Sequence, residues 1–132
     1  MDRLTRARLI KSARAAEKRA YAPYSRFPVG AAVLTRSGKI YAGANVENAS
    51  YGLTVCAERT AIFKAVSAGE KEITAIAIFT ATEQPTPPCG ACLQVLNEFS
   101  TNPLIILVSR KKILTFRLRQ LLPHGFKLND TL

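Results

Sequence analysis

All three cysteines of this chain fall in two short stretches, Thr54-Val55-Cys56-Ala57-Glu58-Arg59 and Pro87-Pro88-Cys89-Gly90-Ala91-Cys92. If the thiols form one site, the fold must bring these stretches together, and no other feature of the sequence restricts the architecture as much. Cys89 and Cys92 are three positions apart and share one face of a helix, so both sulfurs can reach one ion. A structural zinc site takes four protein ligands, whereas a catalytic one takes three and leaves the fourth position to water. Three cysteines match the second case. The pattern reads as an open centre for one Zn2+ per chain, with Cys56, Cys89 and Cys92 as ligands. Glu58 is placed to take a proton from water and return it to a substrate nitrogen; its plainer role is a carboxylate favouring a helix start. The sole histidine, His124, lies beside Gly125 near the end of the chain and reads as a surface residue.

Both stretches precede apolar runs of helical period, so both fall at expected helix N-termini, where free backbone N–H groups and the helix dipole favour thiolates. Three thiolates and one zinc ion leave the site negative. Arg59 follows Cys56 by three positions on the same helical face, and it is predicted to donate hydrogen bonds to ligand sulfurs and offset that charge.

The remaining sequence supplies the frame. Leu4, Ala7, Ile10 and Ala13 recur at helical spacing among basic residues, predicting an amphipathic helix over 4–20. Two prolines make 21–28 a loop, and strands follow at 29–35 and 40–46 around the turn Arg36-Ser37-Gly38-Lys39. A polar loop over 47–53 leads to a helix over 55–67, stopped by Gly69. Then come a strand at 73–80, a proline-rich loop at 81–88, a helix from 89 or 90 to 99, strands at 104–108 and 113–116, and a helical turn at 118–122. This order implies a mixed sheet with helices on its faces.

With 132 residues, 48% of them hydrophobic and 21% charged, the chain is expected to form one globular domain over 1–132. No apolar run approaches the roughly 20 residues that span a bilayer, and the N-terminus lacks a signal-like apolar stretch. A cytoplasmic protein with no membrane partner is expected, and in that compartment an odd number of thiols points to metal rather than disulfides. The net charge of +10 is large. Its carriers are spread out: Arg3, Arg6, Arg8, Lys11, Arg14, Lys18 and Arg19 in the first helix, then Arg110, Lys111, Lys112, Arg117 and Arg119. They read as solvated faces, with nucleic acid a possible partner that is not expected.

The pair CAER and PCGAC resembles the zinc-dependent cytidine deaminases, whose pattern is a Cys or His, then Glu, then PCxxC. SRFPVGAAV at 25–33, NVENASYG at 45–52, CAERTAIFKA at 56–65 and LLPHGF at 121–126 are similar to the small homotetrameric, free-nucleoside members. The resemblance implies a three-layer α/β/α fold with a central mixed five-stranded sheet. It also implies hydrolytic deamination of cytidine and 2′-deoxycytidine to the uridine products, with Glu58 activating the water and protonating ring N3 and the leaving amine. Asn45 and Glu47 would hold the ribose hydroxyl, Phe27 would pack on the nucleoside, the backbone at Ala57 would meet the pyrimidine edge, and Phe126 would complete a neighbouring subunit's site. Taken without the family, Phe27 is a core or loop anchor, and Asn45 and Glu47 are turn residues at a strand end.

Two departures stand out: Leu93 occupies the position where family members often carry arginine, and the pattern does not require such basicity. A deaminase acting on another cytosine-containing substrate, such as nucleic acid or an antibiotic nucleoside, is the alternative. A structural zinc module binding nucleic acid is the reading from another class. It would need a closed fourth ligand, and the sequence has no fourth Cys or suitable His, so water fills that position unless Asp or Glu completes the shell.

Overall fold

Helix α1, Arg3–Glu17, starts at Asp2, whose carboxylate accepts a hydrogen bond of 2.7 Å from the Thr5 N–H. Its buried residues are Leu9, Ala13 and Ala16, as the periodicity requires. The helix stops before the expected residue 20 because the chain turns away to pair: the Tyr21 N–H donates to the Asn45 carbonyl at 2.9 Å. A computed structural model describes residues 1–128; residues 129–132, the end of the expected domain, lie outside the described residues.

Strands β1 (Val29–Thr35) and β2 (Ile40–Ala44) form the expected antiparallel hairpin. Helix α2 (Ala57–Ser67), strand β3 (Ile73–Thr80), helix α3 (Gly90–Glu98), strands β4 (Ser100–Val108) and β5 (Ile113–Arg117) and helix α4 (Leu118–Leu121) complete the order. The five strands form one sheet in the order β2-β1-β3-β4-β5, parallel only between β3 and β4. That parallel pair needs a crossover, and α3 supplies it.

Strand alternation sorts the core into two faces. Ala32, Leu34, Ala75, Ala77, Phe79, Ile106 and Val108 pack with Leu9 and Ala13 of α1. Ala31, Val33, Ile76, Ile78, Ile105 and Leu107 pack on the other side with residues of α2, α3 and α4, among them Ala61, Leu93, Leu96 and Leu118. The result is the expected three-layer α/β/α arrangement around a mixed sheet.

Two glycines set how closely the helices approach this sheet. A Cβ on Gly30 of β1 would collide with the Ala13 carbonyl and the Glu17 backbone nitrogen of α1, and one on Gly43 of β2 would lie 2.6 Å from the Ala61 nitrogen of α2. Only a residue without a side chain fits at either point.

Two boundaries differ from expectation. β4 begins at Ser100 rather than 104 despite Pro103. Pairing with β3 shifts register there, Asn102 takes φ of 46°, and pairing with β5 begins only at Leu104, so no ladder bond needs the N–H that proline lacks. β2 ends at Ala44 rather than 46, because Val46 turns to pair with Tyr21 and Val55.

Candidate active site

The two cysteine stretches meet where α2 and α3 begin. Cys56 is the N-cap of α2 and Cys89 the N-cap of α3, each with extended backbone (φ −68°, ψ 155° and φ −71°, ψ 165°). Cys56 thus lies just ahead of the helix rather than inside its first turn. Neither thiol caps its own helix. The Cys56 and Cys89 sulfurs are 4.0 Å apart and those of Cys89 and Cys92 3.5 Å. All three lie within 4.8 Å of one another. Tetrahedral thiolates with Zn–S bonds of 2.3 Å would be separated by about 3.8 Å. The donor set and its spacing fit one zinc ion.

The Arg59 Nη2 donates to Cys56 Sγ at 3.5 Å, as the three-residue spacing predicts. Its Nε is buried and meets no acceptor among the described residues. The Cys56 thiol is pulled down to about 5, first by the hydrogen bond from Cys92, against burial, and then by the hydrogen bond and charge of Arg59. Cys92, the donor in that pair and itself buried, is pushed up. The hydrogen bonds and charge around Cys56 favour its thiolate form.

Glu58 is only 6% exposed. Ile76, Ile78, Pro88, Leu93 and Leu96 line a small pocket with it and Cys92. Burial in this apolar setting, followed by the charge of Cys56, pushes the carboxyl up to about 7. Leu93 is buried in the core, so the position often held by arginine contributes apolar wall here. Ala57, the first residue of α2, is fully buried and offers only backbone.

The segment with Asn45 and Glu47 is tied straight to the cysteine stretch, since Val46 and Val55 exchange two backbone hydrogen bonds of 2.9 Å. Asn45 is buried, and its amide spans the loop before β1: Oδ1 accepts from the Val29 N–H and Nδ2 donates to the Phe27 carbonyl, both at 2.9 Å. Glu47 Oε1 accepts the N–H groups of Tyr24 (2.9 Å) and Ser25 (3.1 Å), and Oε2 accepts the Ser25 hydroxyl. These bonds hold the Glu47 carboxyl below its ordinary range, the Ser25 hydroxyl contributing most. Both residues thus fasten the 21–28 loop. Each keeps capacity for more: a second amide proton, and further lone pairs on the carboxylate.

Glu47 also lines a surface cleft of about 330 Å³ with Tyr24, Ser25, Tyr51 and Thr54. The Tyr24 and Tyr51 rings stand 5.9 Å apart at 59°. Phe27, 39% exposed, lies on the same fastened loop. The cleft residues other than Glu47 were not candidates from sequence, because no spacing relates the loop at 24–25 to the strand end at 47. Phe126 lines neither this cleft nor the pocket under Glu58. Its carbonyl accepts from Gln94 Nε2 (2.6 Å) and Asn97 Nδ2 (3.2 Å) of α3, and the residue is 57% exposed.

Residues 4–108 match the family model described as the cytidine and deoxycytidylate deaminase zinc-binding region. The chain is 47% identical over 129 residues to the cytidine deaminase of Halalkalibacterium halodurans, covering 96% of this chain and 98% of that protein. It is 46% identical over 125 residues to that of Sporosarcina psychrophila, covering 93% and 92%. Among solved structures, the cytidine deaminase of Burkholderia pseudomallei superposes with a TM-score of 0.88 at 45% identity, covering 96% of this chain and all (100%) of that one. That of Mycobacterium tuberculosis gives 0.80 at 39% identity, covering 92% and 97%.

Proposed function

The chain belongs to the cytidine and deoxycytidylate deaminase zinc-binding family, and from that premise we propose that it hydrolyses cytidine and 2′-deoxycytidine to uridine and 2′-deoxyuridine with release of ammonia, a step of pyrimidine salvage. Cys56, Cys89 and Cys92 hold the zinc ion, which when bound supplies the Lewis acidity that makes water a nucleophile at neutral pH. The observation that carries the reading is the convergence of three sulfurs at the starts of α2 and α3, with the buried Glu58 lining an apolar pocket together with Cys92.

Glu58 is the proton carrier. It takes a proton from the attacking water, delivers it to N3 of the pyrimidine and then assists departure of the C4 amine; burial supports this role, because a carboxyl poised near 7 can hold and release a proton at neutral pH. Arg59 keeps the cysteine cluster from excess negative charge. The backbone around Ala57, at the start of α2, meets the base edge. Asn45 and Glu47 take the sugar hydroxyl with the bonding capacity their loop contacts leave unused, and Phe27 packs on the nucleoside.

The same proposal takes 1–132 as one deaminase domain, supported by the single sheet that every helix packs against. It takes the assembly as a homotetramer in which Phe126, exposed and outside its own chain's cleft, reaches a neighbour's site. A cytoplasmic location suits a centre built from reduced thiols. No helix among the described residues is long and apolar enough to cross a membrane.

The test is loss of cytidine absorbance with the parent protein and Glu58→Gln, alongside metal analysis. A fall of about 10²-fold or more at unchanged zinc content is expected for removal of a proton carrier. Activity retained in the Gln variant would reject the assignment.

A further inference from the structure

Arg3, Arg6, Lys11 and Arg14 line one lateral side of α1, around a groove of about 360 Å³ completed by Ala7 and Ile10. From Arg3 to Arg14 the helix advances roughly 16 Å at 1.5 Å per residue. The only acid inside α1 is Glu17, nearly a turn beyond Arg14, and Asp2 ahead of Arg3 is engaged as the N-cap. Among the described residues, the ion pairs are Arg36 with Glu72 and Lys111 with Glu83. The four groove cations therefore have no acidic partner among the described residues. Arg14 is steadied by an aromatic ring instead, its guanidinium carbon 5.0 Å from the Phe79 centroid, a stacking that leaves in-plane donors for an anion.

We propose that this groove binds the phosphodiester backbone of nucleic acid without reading its sequence. Three of the four cations are arginines, whose planar forks match phosphate oxygens. α1 contains no aromatic residue for base stacking, so the contact is to backbone alone. A lipid surface is a poorer partner, since Leu9, Ala13 and Ala16 are already buried against the sheet and Leu4 is the one large apolar side chain that α1 leaves exposed. A second copy related by a two-fold axis would set these cations against their own counterparts. α1 covers the sheet face opposite the one carrying α2 and α3, so a bound strand leaves the cysteine cluster clear. This surface is distinct from the nucleoside site, and the proposal stands whether or not the chain deaminates cytidine.

The probe is a fluorescently labelled oligothymidylate, which contains no cytosine and cannot be a deamination substrate. Anisotropy titrations across salt concentration should give a slope of log K against log salt of roughly −3 for four single-strand phosphate contacts. Arg6→Gln with Lys11→Gln should about halve that slope, while Arg110→Gln with Lys112→Gln, which removes the same charge elsewhere, should leave it in place. Cytidine turnover should be unchanged in both pairs. The proposal fails if the parent does not bind the oligonucleotide at low salt, if both pairs weaken binding equally, or if vesicles of phosphatidylserine and phosphatidylcholine are bound in preference to it.

Discussion

Cys56 and Cys89 hold the same position in different helices, the N-caps of α2 and α3, and their sulfurs approach to 4.0 Å. An N-cap residue has its backbone outside the helix while the helix dipole still acts on its side chain. Two dipoles therefore point at one small volume, and Cys92, within the first turn of α3, closes the third side. An extra anion is tolerable there because both helices favour it.

Removing one donor should open the site. Cys92→Ser is expected to lose zinc in metal analysis after dialysis and to lose cytidine turnover with it. A chelator should do the same to the parent protein, and zinc, not magnesium, should restore activity.

Arg59→Ala should weaken zinc retention without unfolding the chain, because it removes a donor to Cys56 but no ligand. Competition with a chromogenic chelator is expected to show a loss of the 10- to 100-fold order typical of residues that support metal ligands. Equal retention in the variant and the parent would remove Arg59 from the charge balance.

Asn45→Ala strands two backbone groups, the Val29 N–H and the Phe27 carbonyl, that the amide now satisfies. Urea denaturation should show destabilisation of about 1 kcal/mol, since these two hydrogen bonds are only half-buried and water can reach the groups left unpaired. The Michaelis constant for cytidine should rise as well, since the loop that carries Phe27 loses its anchor.

Glu47 gives a pH signature. Its folded pKa lies below the ordinary 4.5, so the stability it contributes is present above 4.5 and is lost as pH falls through the lower folded value. The fluorescence of Tyr24 and Tyr51, which flank it, should report loosening of the loop in that acid window. In Glu47→Gln the transition should be absent, with the loop already loose near neutral pH. An unchanged acid transition would show that another carboxylate drives it.

The sheet, its helices and the metal donors were legible because each rests on short-range regularities. Alternation wrote the strands, helical spacing wrote α1 and the pairing of Arg59 with Cys56, and the cysteine pair three residues apart wrote its own shared face. The fastening of Glu47 to Ser25 was not legible: it joins a loop to a strand end through a hydroxyl whose partner depends on tertiary placement. Nor did the sequence announce that β4 would run through Pro103, since that depends on when β5 arrives alongside. The gathering of unpaired cations along one side of α1 also needed coordinates, because sequence shows charges but not the lack of nearby acids.

Gly30 and Gly43 lie on adjacent strands, in neighbouring register pairs, and each admits a helix from the opposite side of the sheet. The hairpin is therefore gripped between α1 and α2 like a shim between two plates. Enlarging either residue would lift a helix off its strand, and at Gly43 that helix begins one residue after Cys56. A methyl group added at Gly43 would press on Thr60, whose N–H and hydroxyl both donate to the Cys56 carbonyl, and would thus displace a zinc ligand, which makes the spacing of the metal centre a dimension inherited from the closeness of helix and sheet.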